Sequence, residues 1–231
     1  MNTFSKACFT VLLSLVFSGN NQADPFDLAS TNYSSLDSLS YDIYQSLNTT
    51  DLNFETFSFA YHGYWQIVAE GDTEKKNILT IIDFNKSSTE KRFFIIDLDI
   101  QKIIHESLVA HGKNSGWDIP SSFSNTANSH KSSLGFYLTG ETYIGKHGLS
   151  LKLDGLEKDI NDNARKRNIV IHSAYYVSGS FIDKFGRLGR SFGCPSLPSD
   201  NYNSIIDLIK NKSIIFIYSS QKEYFSKSDY L

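Results

Sequence analysis

A chain of 231 residues with 40% hydrophobic and 14% aromatic content can bury a sizeable core in one compact domain. Its net charge of −3 and pI near 6.1 exclude a nucleic-acid partner, whose binding rests on Lys and Arg neutralising phosphates. The densest basic group, Arg165-Lys166-Arg167, is short, flanked by acidic residues, and reads as a solvated loop or helix end.

Residues 1–23 carry Lys6, an apolar run from Ala7 to Phe17, and then small and polar residues. That is the layout of a secretory signal peptide, with cleavage expected after Ala23; the run is too short to span a bilayer. No later segment is apolar for long enough to insert stably in a membrane once the signal is removed. Cys8 lies in the expected signal, so the mature chain would keep Cys194 alone, with no disulfide partner. Residues 24–53 read as a leader and an amphipathic helix, because Leu36, Leu39, Ile43 and Leu47 recur at helical spacing.

A second helix is expected from Phe54 through Phe57, Tyr61, Tyr64 and Val68 to an end near Gly71. The texture then changes. NILTIIDFN, KRFFIIDLD, ESLVAHGK, GLSLKLDG, NIVIHSAYYV and SIIFIYS read as strands, separated by loops such as HGKNSGWD and FSNTANSHKSSLG. DNYNSIIDLIKN has helical spacing before the last strand. The pattern predicts a mainly β fold, a sandwich or barrel, with a small helical segment at its N-terminus.

His172 ends an apolar strand, and Cys194 follows after a glycine-rich loop. The combination suggests a Cys–His nucleophilic pair, in which imidazole takes the thiol proton; a buried structural histidine is the competing reading. Gly193 keeps side-chain bulk from the nucleophile and lets backbone N–H groups approach an oxyanion. Arg190 could receive a substrate carboxylate or form a surface ion pair, while Arg187 reads as a surface pair. His111 ends an expected strand and could line a pocket. His62 lies on the aromatic helix stripe, and His105, His130 and His147 fall in turns and loops. No histidine or cysteine spacing suits a metal site, and no organic cofactor is called for.

Ile171-His172-Ser173 followed by Gly189-Arg190-Ser191-Phe192-Gly193-Cys194-Pro195 resembles the signature of the L,D-transpeptidases of bacterial cell walls, the YkuD-like fold. VAHGKNSG, FSNTANSHKSSLGFY and Gly148 to Leu153 fall in the order shown by the murein L,D-transpeptidase catalytic domain branch, so the resemblance runs from about Phe54 to Tyr218. It implies a YkuD-like β-sandwich catalytic core over residues 54–231. It also implies an exported enzyme, in a Gram-negative periplasm, acting on peptidoglycan stem peptides. Such enzymes release terminal D-alanine from a tetrapeptide stem. They pass the acyl group through a cysteine thioester to a diaminopimelate amine of another stem.

By the same resemblance, Cys194 is the nucleophile, His172 its base, and Ser173 the residue whose oxygen orients the imidazole. The N–H groups of Phe192, Gly193 and Cys194 would form the oxyanion hole. The stretch from Ser132 to Tyr137, with Ser133 and Gly135, would cover the substrate, and Arg190 and His111 would contact it. Carbapenems are implied as covalent inhibitors. Phe192 departs from the broad family, where a second histidine is common, although the close branch also has an aromatic there. Ser196, Leu197 and Pro198 stand where the broad motif continues with Asn or Arg. Water as acceptor would make the chain an L,D-carboxypeptidase, and a buried, inert Cys194 would leave a non-catalytic peptidoglycan-binding protein.

Overall fold

The computed structural model describes residues 33–71, 73–74 and 77–231; the expected signal segment and the start of the leader lie outside them. Both N-terminal helices follow their apolar stripes. Helix α1 (Tyr33–Leu47) buries Ile43 and Leu47, with Leu36 and Leu39 packed against the same core. Helix α2 (Phe54–Glu70) begins at Asn53, whose side chain accepts the Glu55 N–H at 2.8 Å, and stops at Gly71 with φ 85°. Phe57, Tyr61 and Tyr64 face inward. At Gly63 an added Cβ would lie 2.1 Å from the Phe136 ring, so helix and sheet meet with no room for a side chain.

The strands are β1 (Ile78–Asp83), β2 (Phe93–Asp97), β3 (Lys102–Ser107), β4 (Gly135–Gly145), β5 (Gly148–Gly155), β6 (Val170–Ser173), β7 (Ser196–Leu197) and β8 (Ile214–Tyr218). They join edge to edge as β3-β2-β1-β8-β4-β5-β6-β7. β1 pairs parallel with β8 and β6 parallel with β7; the other neighbours are antiparallel. β1 and β8 are buried along their whole length, which explains their unbroken apolar runs. Helices α3 (Gly179–Phe185), α4 (Tyr202–Ile209) and α5 (Lys222–Phe225) complete the chain. The mainly β core with a helical N-terminal segment is the expected class. Among the described residues no helix is long and apolar enough to cross a membrane.

Three segments differ from their sequence reading. ESLVAHGK is not a strand throughout: β3 ends at Ser107, and Ala110 instead bridges to Ser196 beside the site. The Arg92 guanidinium takes the Val109 carbonyl there, which draws the chain off the sheet. The expected loop and flap around Gly135 is the start of an eleven-residue strand. Glycines and threonines hide it in the sequence, but Phe136, Tyr137 and Leu138 are core residues. GSFIDKF, read as loop, is α3, with Ser178 capping its start.

Candidate active site

The parallel pair β6–β7 places the site. His172 pairs with Ser196 and Ser173 with Leu197, so Cys194 lies two residues upstream of the residue beside His172. His172 Nδ1 is 2.8 Å from the Ser173 carbonyl oxygen. A carbonyl can only accept, so Nδ1 carries the proton and Nε2 keeps its lone pair. The Ser196 hydroxyl is 3.2 Å from that lone pair and donates to it, while the Tyr176 hydroxyl, 3.2 Å from Ser196 Oγ, donates in turn. Sequence reading missed both hydroxyls: Ser196 shows only as a replacement in the broad motif, and Tyr176 reads as part of a strand.

The half-buried Cys194 thiol points to the Asn168 carbonyl at 3.6 Å. Burial pushes it up, opposed by the N–H groups of Val170 and of Cys194 itself and by the charges of Arg167 and Lys146. Burial also lowers His172, helped by His147 and Lys146 against the pull of the Ser173 carbonyl. Both shifts favour a neutral thiol and a neutral imidazole at rest. His147, placed in a loop by sequence, stacks on the His172 ring at 4.5 Å from the β4–β5 hairpin tip.

Gly193 has φ +127°, and an added Cβ would lie 2.9 Å from the Lys131 carbonyl oxygen. Only glycine suits the position. Its N–H donates to Ser191 Oγ at 3.0 Å, and the Ser191 hydroxyl donates to the Cys194 carbonyl at 2.6 Å. Phe192 is exposed and packs at a tilt against the His130 ring, centroids 4.6 Å apart.

Four expected substrate contacts sit differently. His111 is fully buried: Nδ1 accepts from Arg92 at 2.9 Å and Nε2 donates to the Gly116 carbonyl at 3.4 Å. Burial and the Arg92 charge push it down to about 3, so it is a neutral structural group and no pocket lining. Ser133 is buried, its hydroxyl taken by Tyr137 at 2.8 Å and Arg167 at 3.2 Å. Gly135 turns toward Glu157, whose Oε2 would lie 2.1 Å from an added Cβ. Arg190 uses Nη1 on the Lys113 and Gly116 carbonyls and stacks on Trp117.

Arg167 corrects the reading of its basic triplet. Arg165 does pair with Asp154 and Glu141 at the surface, but Arg167 is drawn inward. It donates to the Ser124 and Lys131 carbonyls, each at 2.6 Å, and to Ser133 and Ser129 hydroxyls. One guanidinium thus pins the 124–133 loop beside the thiol. Arg167→Ala is expected to cost about 2 kcal/mol by leaving carbonyls without donors, read by chemical denaturation, and to slow Cys194 alkylation at fixed pH. Unchanged stability and alkylation would remove this role. Among the described residues no group of His, Cys, Asp and Glu could hold a metal ion.

The family model for the L,D-transpeptidase catalytic domain matches residues 48–218. No curated protein matches in sequence. Solved structures similar to this chain include an L,D-transpeptidase from Mycobacterium smegmatis, at 12% identity and TM-score 0.39, covering 62% of this chain and 59% of that one. Another is an L,D-transpeptidase from Stackebrandtia nassauensis, at 9% identity and TM-score 0.38, covering 78% and 76%. L,D-transpeptidase 3 from Mycobacterium tuberculosis with a faropenem-derived adduct has 11% identity and TM-score 0.37, covering 62% and 60%. The chain therefore spans about three-fifths of the length of the first of these. The family match takes in both helix α2 and the whole sheet, and it includes the His172 strand and the Cys194 turn whose geometry is described above: the chain belongs to the L,D-transpeptidase catalytic domain family.

Proposed function

We propose that the chain is an exported peptidoglycan L,D-transpeptidase, acting in the periplasm of a Gram-negative cell, with Cys194 as nucleophile. The observation that carries the reading is the site itself. Cys194, the one free thiol among the described residues, follows the loop that returns beside the His172 strand, and the Nδ1–H of His172 is held by the Ser173 carbonyl, which leaves Nε2 as the base.

At rest the thiol faces the Asn168 carbonyl and Nε2 faces Ser196. Substrate binding must therefore bring the two together before chemistry begins. His172 Nε2 then takes the thiol proton, and the thiolate attacks the carbonyl after the third stem residue. The oxyanion is met by the N–H groups of Phe192, Gly193 and Cys194, with the Gly193 N–H released from Ser191 Oγ. Collapse breaks the amide bond, the imidazolium gives its proton to the departing D-alanine amine, and a thioester remains on Cys194. The amine of a second stem attacks that thioester, loses its proton to His172, and leaves with the acyl group as the thiol is restored.

Ser196 serves both states of the base. Its hydroxyl donates to neutral Nε2 and accepts from the imidazolium N–H, while Tyr176 steadies it. Ser196→Ala is expected to lower kcat about tenfold with KM changed less than twofold, and Tyr176→Phe to lower it about threefold, the worth of about one hydrogen bond each. Equal kcat in all three proteins would show the hydroxyls to be bystanders.

Incubating the chain with disaccharide-tetrapeptide muropeptides and following products by mass spectrometry tests the function. Release of D-alanine with cross-linked dimer supports transpeptidation. Release with tripeptide alone moves the assignment to an L,D-carboxypeptidase, and no release by folded protein overturns the enzyme reading.

A further inference from the structure

Three buried pieces of backbone meet at the nucleophile turn, around Gly112, Ser132 and Gly193. A Cβ added at Gly112 would lie 2.6 Å from the His130 carbonyl oxygen, 2.8 Å from the Ser132 nitrogen and 3.0 Å from the Gly193 Cα. The three segments therefore touch backbone to backbone. One hydroxyl joins them. Ser132 Oγ accepts the Gly112 N–H at 3.0 Å and donates to the Gly193 carbonyl at 3.1 Å. From sequence Ser132 stands at the start of a substrate cover, yet it is buried and spends both roles of its hydroxyl on this junction.

Gly193 is what makes the clamp necessary. Without a Cβ, the peptide groups on either side of it can rotate with little steric resistance, so hydrogen bonds must set their direction. The preceding peptide is held through the Gly193 N–H, which donates to Ser191 Oγ at 3.0 Å and must leave that partner to meet an oxyanion. Ser132 holds the following peptide by its carbonyl instead. A planar trans peptide points its N–H opposite its C=O, so this grip turns the Cys194 N–H away from Ser132 and toward its own sulfur. Ser132 is itself fixed on both sides. Its N–H donates to Ser115 Oγ at 2.9 Å, its carbonyl accepts the Ser124 N–H at 2.9 Å, and Arg167 holds the Lys131 carbonyl before it.

We propose that Ser132 is a positioning residue for acyl transfer, whose hydroxyl fixes the Gly193–Cys194 peptide so that the Cys194 N–H faces the oxyanion before substrate arrives. The inference rests on the transpeptidase reading with Cys194 as nucleophile. Of the donors assigned to the oxyanion hole, the Cys194 N–H is then the preorganised one, and it needs no bond broken to act.

The test sets two reactions of the same thiol against each other. A carbapenem acylates Cys194 through an oxyanion: the C–S bond forms, the lactam C–N bond breaks, and nitrogen takes the proton from His172. Iodoacetamide alkylates Cys194 by displacing iodide, with no oxyanion. Ser132→Ala is expected to slow acylation about tenfold, part of the worth of an oxyanion donor, and to leave alkylation within about twofold. Ser132→Thr, which keeps the hydroxyl, should acylate within about threefold of the parent. Acylation unchanged in Ser132→Ala, both reactions slowed alike, or Ser132→Thr as slow as Ser132→Ala would overturn the proposal. So would a Ser132→Ala chain that does not fold beside a Ser132→Thr chain that folds and acylates slowly. D-alanine release from muropeptides separates the two levels. Release by the parent with acylation indifferent to Ser132 removes the positioning role and keeps the transpeptidase. Acylation that depends on the hydroxyl, with no release by the parent, keeps the positioning role and removes the transpeptidase. A parent that is neither acylated nor releases D-alanine overturns both.

Discussion

Cys194→Ala is expected to abolish D-alanine release from muropeptides, a loss of about 10⁴-fold or more and so at least about 5 kcal/mol of transition-state stabilisation. The same variant should fold as the parent does. The thiol is half-buried and its hydrogen bond to the Asn168 carbonyl, 3.6 Å, is long. Removing it leaves no strong donor orphaned and costs under about 1 kcal/mol. Loss of turnover would then report chemistry and not folding, and thermal melts of the two proteins check that point directly. A second readout needs no substrate. A carbapenem opened by the thiolate should add its full mass to the parent chain in an intact-mass spectrum, and nothing to Cys194→Ala. Turnover or an adduct that survives in the alanine variant would assign the nucleophile elsewhere.

Much of the fold is legible in the sequence because its patterns are long. The stripe from Phe54 to Val68 has one helical solution, and the runs around Ile81 and Phe216 suit strands buried on both faces. β4 is not legible, since Gly135, Gly140 and Gly145 break a strand that only its neighbours β5 and β8 can justify. The site divides in the same way. His172, Ser173 and Cys194 stand out because their chemistry is local and their spacing is shared with a known family. Ser196, Tyr176, Arg167 and His147 do not, because each acts through a partner distant in sequence. Arg167 reaches back to Ser124, and His147 crosses a hairpin to His172. His111 shows the opposite error. A histidine at the end of an apolar segment looks available, yet the buried Arg92 that claims it comes from another strand's edge.

His172→Gln is expected to lower turnover about 10³-fold, roughly 4 kcal/mol, because glutamine can keep a hydrogen bond but cannot take the thiol proton. The pH profile carries the sharper test. Burial holds His172 below its ordinary value and pushes Cys194 above its own. A lowered base stays unprotonated further into acid, so the parent's kcat/KM should hold below pH 6.5 before its acid limb falls. Without His172 the solvent must deprotonate a raised thiol. The variant's residual rate should then climb about tenfold per pH unit through neutrality and keep climbing past pH 9, where the parent is flat. A His172→Gln protein within tenfold of the parent, or one with the parent's pH profile, would leave the imidazole a structural group and require another base for Cys194.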